Sequence, residues 1–382
     1  MSCGRIELRS LAIILKVTDQ CNLACPYCYY YAGTASDLRK RKFSDLTDRI
    51  TRLLGALDQS EICQSAGGIL FALHGGEPLL IRKEAMELLC RGLVDRFGKR
   101  ARLAVQTNGV LIDEEWIDLF SRYQVSVSVS IDGPAWMHDA NRPDMRGRGS
   151  HAPAVAGLRR LQAAARDGRL SDPAILAVFD PRLTGAAYFD YFVDELGVRS
   201  FDLLFPDDVE ARFDSQAAML DSFREATEAL WTRWLERDDP RLSVRSIENS
   251  LKAVARQRPV AFDPDNYHVL VADMKGDCFV EDALRAVVPH EDLKIGNWMD
   301  ESVDAVFERA FGFAEQLKAM APACLACEHL TICKGGDFAY RYDASSGRFG
   351  QSKLCETYKS SFARAYDVLE AVRNRATLKA VA

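Results

Sequence analysis

The chain has 382 residues, enough for one large catalytic domain and a smaller companion, which excludes a miniprotein or an isolated binding module. Lysine and arginine number 49 against 55 aspartates and glutamates, and the net charge of -6 argues against a nucleic-acid partner. With 48% hydrophobic residues, the chain can bury a large core without disulfides. Its 11 cysteines, an odd number crowded into two short clusters, favour thiolate ligands in a reducing compartment.

The first apolar run, residues 11–15, ends at Lys16 and is therefore too short for a membrane-spanning helix. It also lacks the cleavage pattern of a signal peptide. We therefore expect a soluble, cytoplasmic monomer that binds neither membrane nor nucleic acid.

Short apolar runs that predict strands alternate with amphipathic stretches that predict helices. In chain order, strands are predicted over residues 12–17, 68–74, 101–106, 125–131, 174–179 and 200–205. Helices are predicted over residues 44–57, where Ser44 can cap, and over 82–97, 113–122, 154–165 and 187–196. Six strand–helix repeats predict a parallel α/β sheet, either open or an incomplete barrel, with its chemistry at the C-terminal ends of the strands.

The composition changes after this repeat region. A further helix is predicted over residues 217–235, and isolated strands and glycine-containing loops follow residue 264. We therefore divide the chain into three segments: a catalytic domain over residues 1–210, a helical linking segment over 211–265, and a C-terminal domain over 266–382.

Cys21, Cys25 and Cys28 lie within eight residues, directly after the first predicted strand. A structural zinc site requires four closed ligands, whereas three cysteines can hold an iron–sulfur cluster that leaves one iron open. The alternatives are a zinc loop or cysteines without any ligand.

This Cys-x3-Cys-x2-Cys spacing, with the aromatic Tyr27 before the third cysteine, resembles the signature of the radical S-adenosylmethionine (radical SAM) superfamily. The resemblance implies a partial (β/α)6 TIM-like barrel and a 4Fe-4S cluster that binds S-adenosylmethionine at its open iron. It also implies a 5′-deoxyadenosyl radical and a flavodoxin- or ferredoxin-type reductant.

The same resemblance assigns further residues to S-adenosylmethionine. Gly75-Gly76-Glu77-Pro78 matches the motif for the methionyl amino group, Ser130 matches a residue that reaches the ribose, and Arg142 one that faces the carboxylate. The Gly-Gly-Glu-Pro segment can equally be a plain turn, and Asp132 a turn or helix cap. Asn108 is interpreted first as part of an Asn-Gly turn and second as pocket lining.

A second cluster, Cys324, Cys327, Cys333 and Cys355, has four thiols, which fit either zinc or a fully coordinated 4Fe-4S cluster. With the first cluster it resembles the end of a SPASM-type extension, which implies auxiliary clusters. Glu281 stands where a two-cluster SPASM domain would have a cysteine, so we expect one auxiliary 4Fe-4S cluster. Cys278 is an alternative spare ligand.

The C-terminal half is similar to the cyclophane-forming radical SAM/SPASM peptide maturases, which join an aromatic ring carbon to a side-chain carbon in a ribosomal precursor peptide. Asp282 aligns with an acid that serves as substrate base in related sulfatase-maturating enzymes; its alternative role is to end a strand. The resemblance implies a cross-linking enzyme with a precursor-peptide partner. The alternatives are a sulfatase-type maturase that oxidises Ser or Cys to formylglycine, and a non-catalytic metal-binding scaffold.

Overall fold

The structure is a computed structural model that describes residues 10–31, 43–207, 216–260, 268–280, 282–286, 288, 290–343 and 346–381. Glu281, on which the expected cluster number partly depends, lies outside the described residues. Within these ranges, no helix has the length and apolar character that crossing a membrane requires.

All six predicted strands are confirmed, and six further short strands follow them. In chain order the twelve strands are β1 (Leu11–Thr18), β2 (Ile69–Gly75), β3 (Ala101–Thr107), β4 (Ser126–Ser130), β5 (Ala174–Val178), β6 (Ser200–Leu204), β7 (Ser243–Val244), β8 (Val269–Asp273), β9 (Asp277–Phe279), β10 (Lys294–Asn297), β11 (Tyr342–Asp343) and β12 (Arg348–Phe349).

The described α-helices are α1 (Leu46–Gln59), α2 (Glu61–Ser65), α3 (Lys83–Phe97), α4 (Glu114–Tyr123), α5 (Ala135–Asn141), α6 (His151–Arg166), α7 (Gly185–Asp190), α8 (Gln216–Arg237), α9 (Arg245–Arg256), α10 (Val303–Leu317), α11 (Pro322–Leu325), α12 (Leu330–Cys333) and α13 (Cys355–Val381). The expected cap at Ser44 is wrong: α1 begins after Asp45, whose side chain makes no capping hydrogen bond. The helix predicted over 187–196 is an α-helix that continues as a π-helical turn over Tyr191–Glu195.

The chain packs as two compact units. The first comprises residues 1–174 and 268–313, and the second comprises residues 175–267 and 314–382. The three predicted segments divide the chain at other positions. The division into three domains therefore stays a prediction.

In the first unit, β1 to β4 pair in parallel and in chain order, and β8 adds in parallel to the other side of β1. β9 and β10 then continue the sheet in antiparallel pairing. Leu11, Ile13, Leu15 and Val17 are at most 2% exposed, so this face of β1 is core. The C-terminal ends of β1 to β4 therefore meet at one edge, where the predicted site residues follow them.

The second unit contains β5, β6 and β7, with β6 and β7 in parallel pairing, and the small antiparallel ribbon of β11 and β12. α7 packs against α8, and α13 packs against both α8 and α9. Trp231 on α8 is 1% exposed and donates a hydrogen bond to the Ser361 hydroxyl of α13 at 3.4 Å, as expected for a core tryptophan.

Candidate active site

Backbone and side-chain hydrogen bonds hold the cysteine loop, residues 21–28, over the ends of the parallel strands. The Asn108 amide, after β3, donates to the Asn22 side-chain oxygen at 2.7 Å. The Ala24 amide donates to the carbonyl of Pro143 at 2.8 Å, and Leu23 forms a β-bridge with Asp144. Because the loop is tied both to β3 and to the segment after α5, its three half-buried thiols are positioned by the sheet.

Gly75 and Gly76 let the turn after β2 approach the turn after β1. The backbone amides of Gly76 and Glu77 donate to the carbonyls of Thr18 and Gln20 at 2.9 and 2.7 Å. A Cβ at Gly75 would lie 2.3 Å from the Thr18 carbonyl, and one at Gly76 would lie 2.2 Å from the Gln20 carbonyl. Gly75 also has a φ of 142°, which a residue with a side chain rarely adopts. Glycine is therefore required here to hold the start of the cysteine loop.

Glu77 is 1% exposed and its carboxylate is already engaged by protein donors. It accepts hydrogen bonds from the backbone amides of Leu79 and Asn108 and from the Thr107 hydroxyl, at 3.1, 2.8 and 2.7 Å. The first bond caps the short 3-10 helix Pro78–Leu80. Burial raises the pKa of Glu77 to about 7, so this carboxyl changes charge near neutrality.

Asn108 and Ser130, predicted as cofactor contacts, both contact neighbouring protein side chains. Asn108 is buried, and besides its bond to Asn22 its side-chain oxygen accepts from the Val110 amide at 3.0 Å, as an Asn-Gly turn predicts. Ser130 ends β4 and its hydroxyl accepts from the Gln106 amide at 2.8 Å.

Asp132 and Arg142 are buried and form a triad with Tyr27, a half-buried residue of the cysteine loop. Arg142 donates through Nε and Nη2 to the two carboxylate oxygens of Asp132, both at 2.9 Å. The Tyr27 hydroxyl donates to the same carboxylate at 2.6 Å, and the guanidinium lies 5.4 Å from the Tyr27 ring centre. Although burial opposes ionisation, the charge of Arg142 holds the pKa of Asp132 below its usual range. Arg142 also lies within electrostatic range of Cys25.

His138 on α5 makes hydrogen bonds that hold this triad in place. Its Nδ1 accepts from the Asp132 amide at 3.2 Å, and its Nε2 lies 3.1 Å from the Ser150 hydroxyl. The Ser150 hydroxyl in turn donates to the Arg142 carbonyl. Burial, reinforced by the nearby Arg142 charge, lowers the pKa of His138 to about 3.

This neutral histidine predicts an acid-sensitive fold. The unfolded chain binds a proton below pH 6.5, whereas folded His138 stays neutral down to about pH 3, so stability falls as the pH falls through this window. The slope from this residue approaches about 1.4 kcal/mol per pH unit. A His138→Gln variant should therefore show a weaker loss of thermal stability between pH 7 and 5.5, measured as the apparent Tm. Equal slopes in both proteins would contradict the assignment.

Asp282, the predicted base, is buried in a second polar cluster of the same unit. It forms an ion pair with Lys16 of β1, and the Tyr29 hydroxyl donates to its Oδ2 at 2.6 Å. Arg285 Nη1 lies 3.7 Å from its Oδ1. Although burial opposes ionisation, the charge of Lys16 holds the pKa of Asp282 below its ordinary value. Asp282 therefore stands as a carboxylate. The alternative that it ends a strand is wrong, because β9 ends at Phe279.

The four C-terminal cysteines meet in the second unit, although they come from three separate stretches of chain. Cys324 lies on α11, Cys327 follows it, Cys333 ends α12 and Cys355 begins α13. All four line one cavity. Burial raises the pKa of Cys333 to about 12, so a bound cation is needed to keep this thiol ionised at neutral pH. Arg341 borders the group and donates to the carbonyls of Leu317 and Gly350.

Both cysteine groups fit the ligands that the sequence predicts for them. Burial, and then the Glu77 carboxylate, raise the pKa of Cys21, which also lies within electrostatic range of Cys25 and Cys28. A bound cation stabilises neighbouring thiols of this kind as thiolates. Among the described side chains, no three His, Cys, Asp or Glu residues converge on the position of a single metal ion. A 4Fe-4S cluster, by contrast, binds its cysteines through separate irons.

Sequence reasoning missed Lys16, Tyr29 and His74, and it favoured a turn or cap at Asp132. Lys16 offered a signal, because a lysine within an apolar strand is rarely fully buried unless it is paired. Cys278, the alternative spare ligand, is fully buried on β9, where its thiol lies 3.7 Å from the Gly276 carbonyl.

Comparison with known proteins shows which proteins this chain is similar to. Residues 15–172 match the model of the radical SAM superfamily. Over 388 aligned residues, the chain is 27% identical to the serine-type anaerobic sulfatase-maturating enzyme of Klebsiella aerogenes, covering 94% of this chain and 86% of that protein.

Two solved structures share the fold. Native anSMEcpe with bound AdoMet superimposes with a TM-score of 0.76 at 21% identity, covering 96% of this chain and 99% of its own. Streptococcus suis SuiB bound to the precursor peptide SuiA superimposes with a TM-score of 0.62 at 14% identity, covering 91% of this chain and 76% of its own. The predicted fold class, a partial TIM-like α/β barrel, is confirmed.

Proposed function

We propose that this chain is a radical SAM enzyme and that it cross-links two side chains of a ribosomal precursor peptide; its residues 15–172 match the model of that superfamily. Enzymes of this superfamily use a 4Fe-4S cluster and S-adenosylmethionine, which supply a 5′-deoxyadenosyl radical that removes a hydrogen atom from the substrate. Cys21, Cys25 and Cys28 would hold the cluster, with Tyr27 beside them, and Gly75 to Pro78, Asn108, Ser130 and Arg142 remain the proposed surroundings of S-adenosylmethionine. A flavodoxin- or ferredoxin-type protein is the proposed reductant.

A peptide substrate is supported by the proteins that this chain resembles. SuiB was solved with its precursor peptide, and the sulfatase-maturating enzymes are named for modifying a protein. These likenesses extend over more than nine-tenths of the chain, beyond the part that matches the superfamily model. We therefore propose that the C-terminal part serves the same class of substrate.

Asp282 supplies the proton acceptor that this chemistry requires. Joining two carbons removes two hydrogens from the peptide: one leaves as the atom taken by the radical, and the other leaves as a proton and an electron. The ionised Asp282 carboxylate can take the proton. The electron requires an acceptor, for which we propose an iron–sulfur cluster at the C-terminal cysteines.

The group bound in the cavity that Cys324, Cys327, Cys333 and Cys355 line distinguishes the two candidate reactions. Four thiols complete one 4Fe-4S cluster and leave no cysteine of that group for a second. Sulfatase-type maturases usually carry the cysteines for two auxiliary clusters, so a single cluster favours the cross-linking reaction. Zinc at these four thiols would remove the electron acceptor and therefore contradict the proposal.

Oxidation of Ser or Cys to formylglycine is the second candidate. The serine-type sulfatase-maturating enzyme of Klebsiella aerogenes aligns with 94% of the chain, and this likeness specifically favours that reaction. It requires the same hydrogen abstraction and the same base, so Asp282 does not separate the two candidates.

A two-peptide assay separates them. The anaerobically reconstituted enzyme would be incubated with S-adenosylmethionine, dithionite and either a Cys- or Ser-type sulfatase peptide or a precursor peptide encoded beside its gene. Cross-linking predicts that the precursor peptide loses two hydrogens and resists reduction by borohydride. An aldehyde in the sulfatase peptide, trapped by a hydrazine, would support the second candidate and contradict the first.

Replacing Asp282 with asparagine tests the proposed base. We expect product formation to fall by at least about a hundredfold, because an amide cannot accept the proton. 5′-Deoxyadenosine should still form, since hydrogen abstraction precedes the proton loss. Asp118→Asn, which removes a largely exposed carboxylate paired with Arg169, is the matched control and should keep its product yield. Full product yield in Asp282→Asn would exclude this residue as the base.

A further inference from the structure

Lys16 stands out among the buried groups of the first unit that the proposed function leaves without a role. Resting on that proposed function, we propose that Lys16 is a positioning residue that fixes the Asp282 carboxylate and, through Tyr29, joins it to the loop of Cys21, Cys25 and Cys28. Lys16 and Asp282 are 266 residues apart in sequence, so this assignment depends on the fold.

Burying a cation at the Lys16 position of β1 costs free energy. The strand is otherwise apolar up to Thr18, and Lys16 itself is 1% exposed. Replacement of a buried ion pair by apolar side chains is often neutral or stabilising. A charge retained at such a position therefore favours a role beyond stability.

The contacts of Lys16 account for each of its three ammonium hydrogens. The Nζ atom forms the ion pair with Asp282, lies 3.0 Å from His74 Nδ1 and lies 3.4 Å from the Tyr29 hydroxyl. Burial, and then the Lys16 charge, lower the pKa of His74 to about 3, so the imidazole is neutral and its Nδ1 can accept. Three fixed acceptors leave the ammonium group one orientation.

Tyr29 completes the connection to the cysteine loop. It directly follows Cys28, and its hydroxyl accepts from Lys16 while donating to Asp282 Oδ2 at 2.6 Å. Lys16 also lies within electrostatic range of Cys28. The carboxylate that is proposed to take the proton is thereby tied to the loop proposed to bind the radical-generating cluster.

Lys16 is the principal cation at the Asp282 carboxylate, because the other charged groups nearby lie farther from it or pair with other residues. Arg285 lies farther from the carboxylate, at 3.7 Å, and is placed over the Tyr30 ring at 4.4 Å. Lys275 pairs instead with Asp19 at 3.0 Å. Neither replaces the direct contact that Lys16 makes.

The first arm of the test measures how much the ion pair contributes to stability, and it does not depend on the reaction. The apparent Tm of the anaerobically purified, cluster-loaded protein would be compared for wild type, Lys16→Met, Asp282→Asn and the double variant. A direct pair predicts that the double variant loses clearly less than the sum of the two single losses, because neither charge is then left alone. Additive losses would overturn the proposal, whatever the peptide assay gives.

The second arm separates positioning from structural support. With the peptide that yields product in the two-peptide assay, we expect the ratio of product to 5′-deoxyadenosine to fall at least about tenfold in Lys16→Met and to recover largely in Lys16→Arg, which keeps the charge. Lys275→Met, which removes another lysine–aspartate pair of the same unit, should keep the wild-type ratio.

An unchanged ratio in Lys16→Met, or an equal fall in Lys275→Met, would overturn the proposal. Where Lys16→Met does not fold, Lys16→Gln takes its place with the same expectations. Failure of wild type to modify either peptide would refute the proposed function, while the Tm arm would still decide the ion pair.

Discussion

A Cys28→Ala variant should lose S-adenosylmethionine cleavage by at least about a thousandfold, because two thiols do not retain a cluster that needs three. The measurement is 5′-deoxyadenosine released after reduction with dithionite, together with the iron content of the purified protein. Iron should fall by the content of one 4Fe-4S cluster, while the C-terminal cysteines keep theirs.

Cys90→Ala is the matched control for this experiment. Cys90 lies on α3 and is fully buried, as expected for a packing thiol. Burial, and then the Glu87 charge, raise its pKa to about 12. Its alanine variant should keep both iron content and cleavage. If Cys28→Ala retained cleavage, the first cysteine group would not be the radical-generating site.

An Arg142→Met variant should be destabilised by about 3–5 kcal/mol, because it leaves the Asp132 carboxylate buried without its counter-charge. The side chains are 11% and 0% exposed, so water cannot replace the guanidinium. The measurement is the free energy of unfolding or, where unfolding is irreversible, the apparent Tm. The loss should exceed that of any surface pair, such as Arg169 with Asp118.

The double variant Arg142→Met/Asp132→Asn distinguishes charge from packing. Removing both charges should restore part of the lost stability, because no ion is then buried alone. The Tyr27 hydroxyl would still have a side-chain oxygen to bond. Were the double variant as unstable as the sum of the two single variants, the bidentate pair would not be the cause.

Much of the first unit was predictable because its signals are local. Apolar runs of six or seven residues identified β1 to β4 in this unit and β5 and β6 in the second. Side chains that follow parallel strands necessarily collect at one edge of the sheet. The spacing of Cys21, Cys25 and Cys28 likewise predicts three ligands on one loop. The glycines at 75 and 76 were also interpretable, although the structure assigns them to backbone contacts between turns.

The partners of individual side chains could not be predicted in the same way. The sequence shows Asp132 and Arg142, but a carboxylate after a strand also suits a turn, and only the fold brings the guanidinium to it in a buried bidentate pair. Asn108 similarly contacts the Asn22 side chain of the cysteine loop, which no local pattern indicates.

The sequence by itself determined the types and spacing of the cysteines, and this pattern predicts iron–sulfur chemistry. Tertiary structure alone decided the environment of Asp282: β8 pairs beside β1, and the chain that follows brings Asp282 against Lys16 and Tyr29. The physical reason is that ligand identity is set by side-chain type, whereas the charge state of a carboxyl depends on its burial and its neighbours.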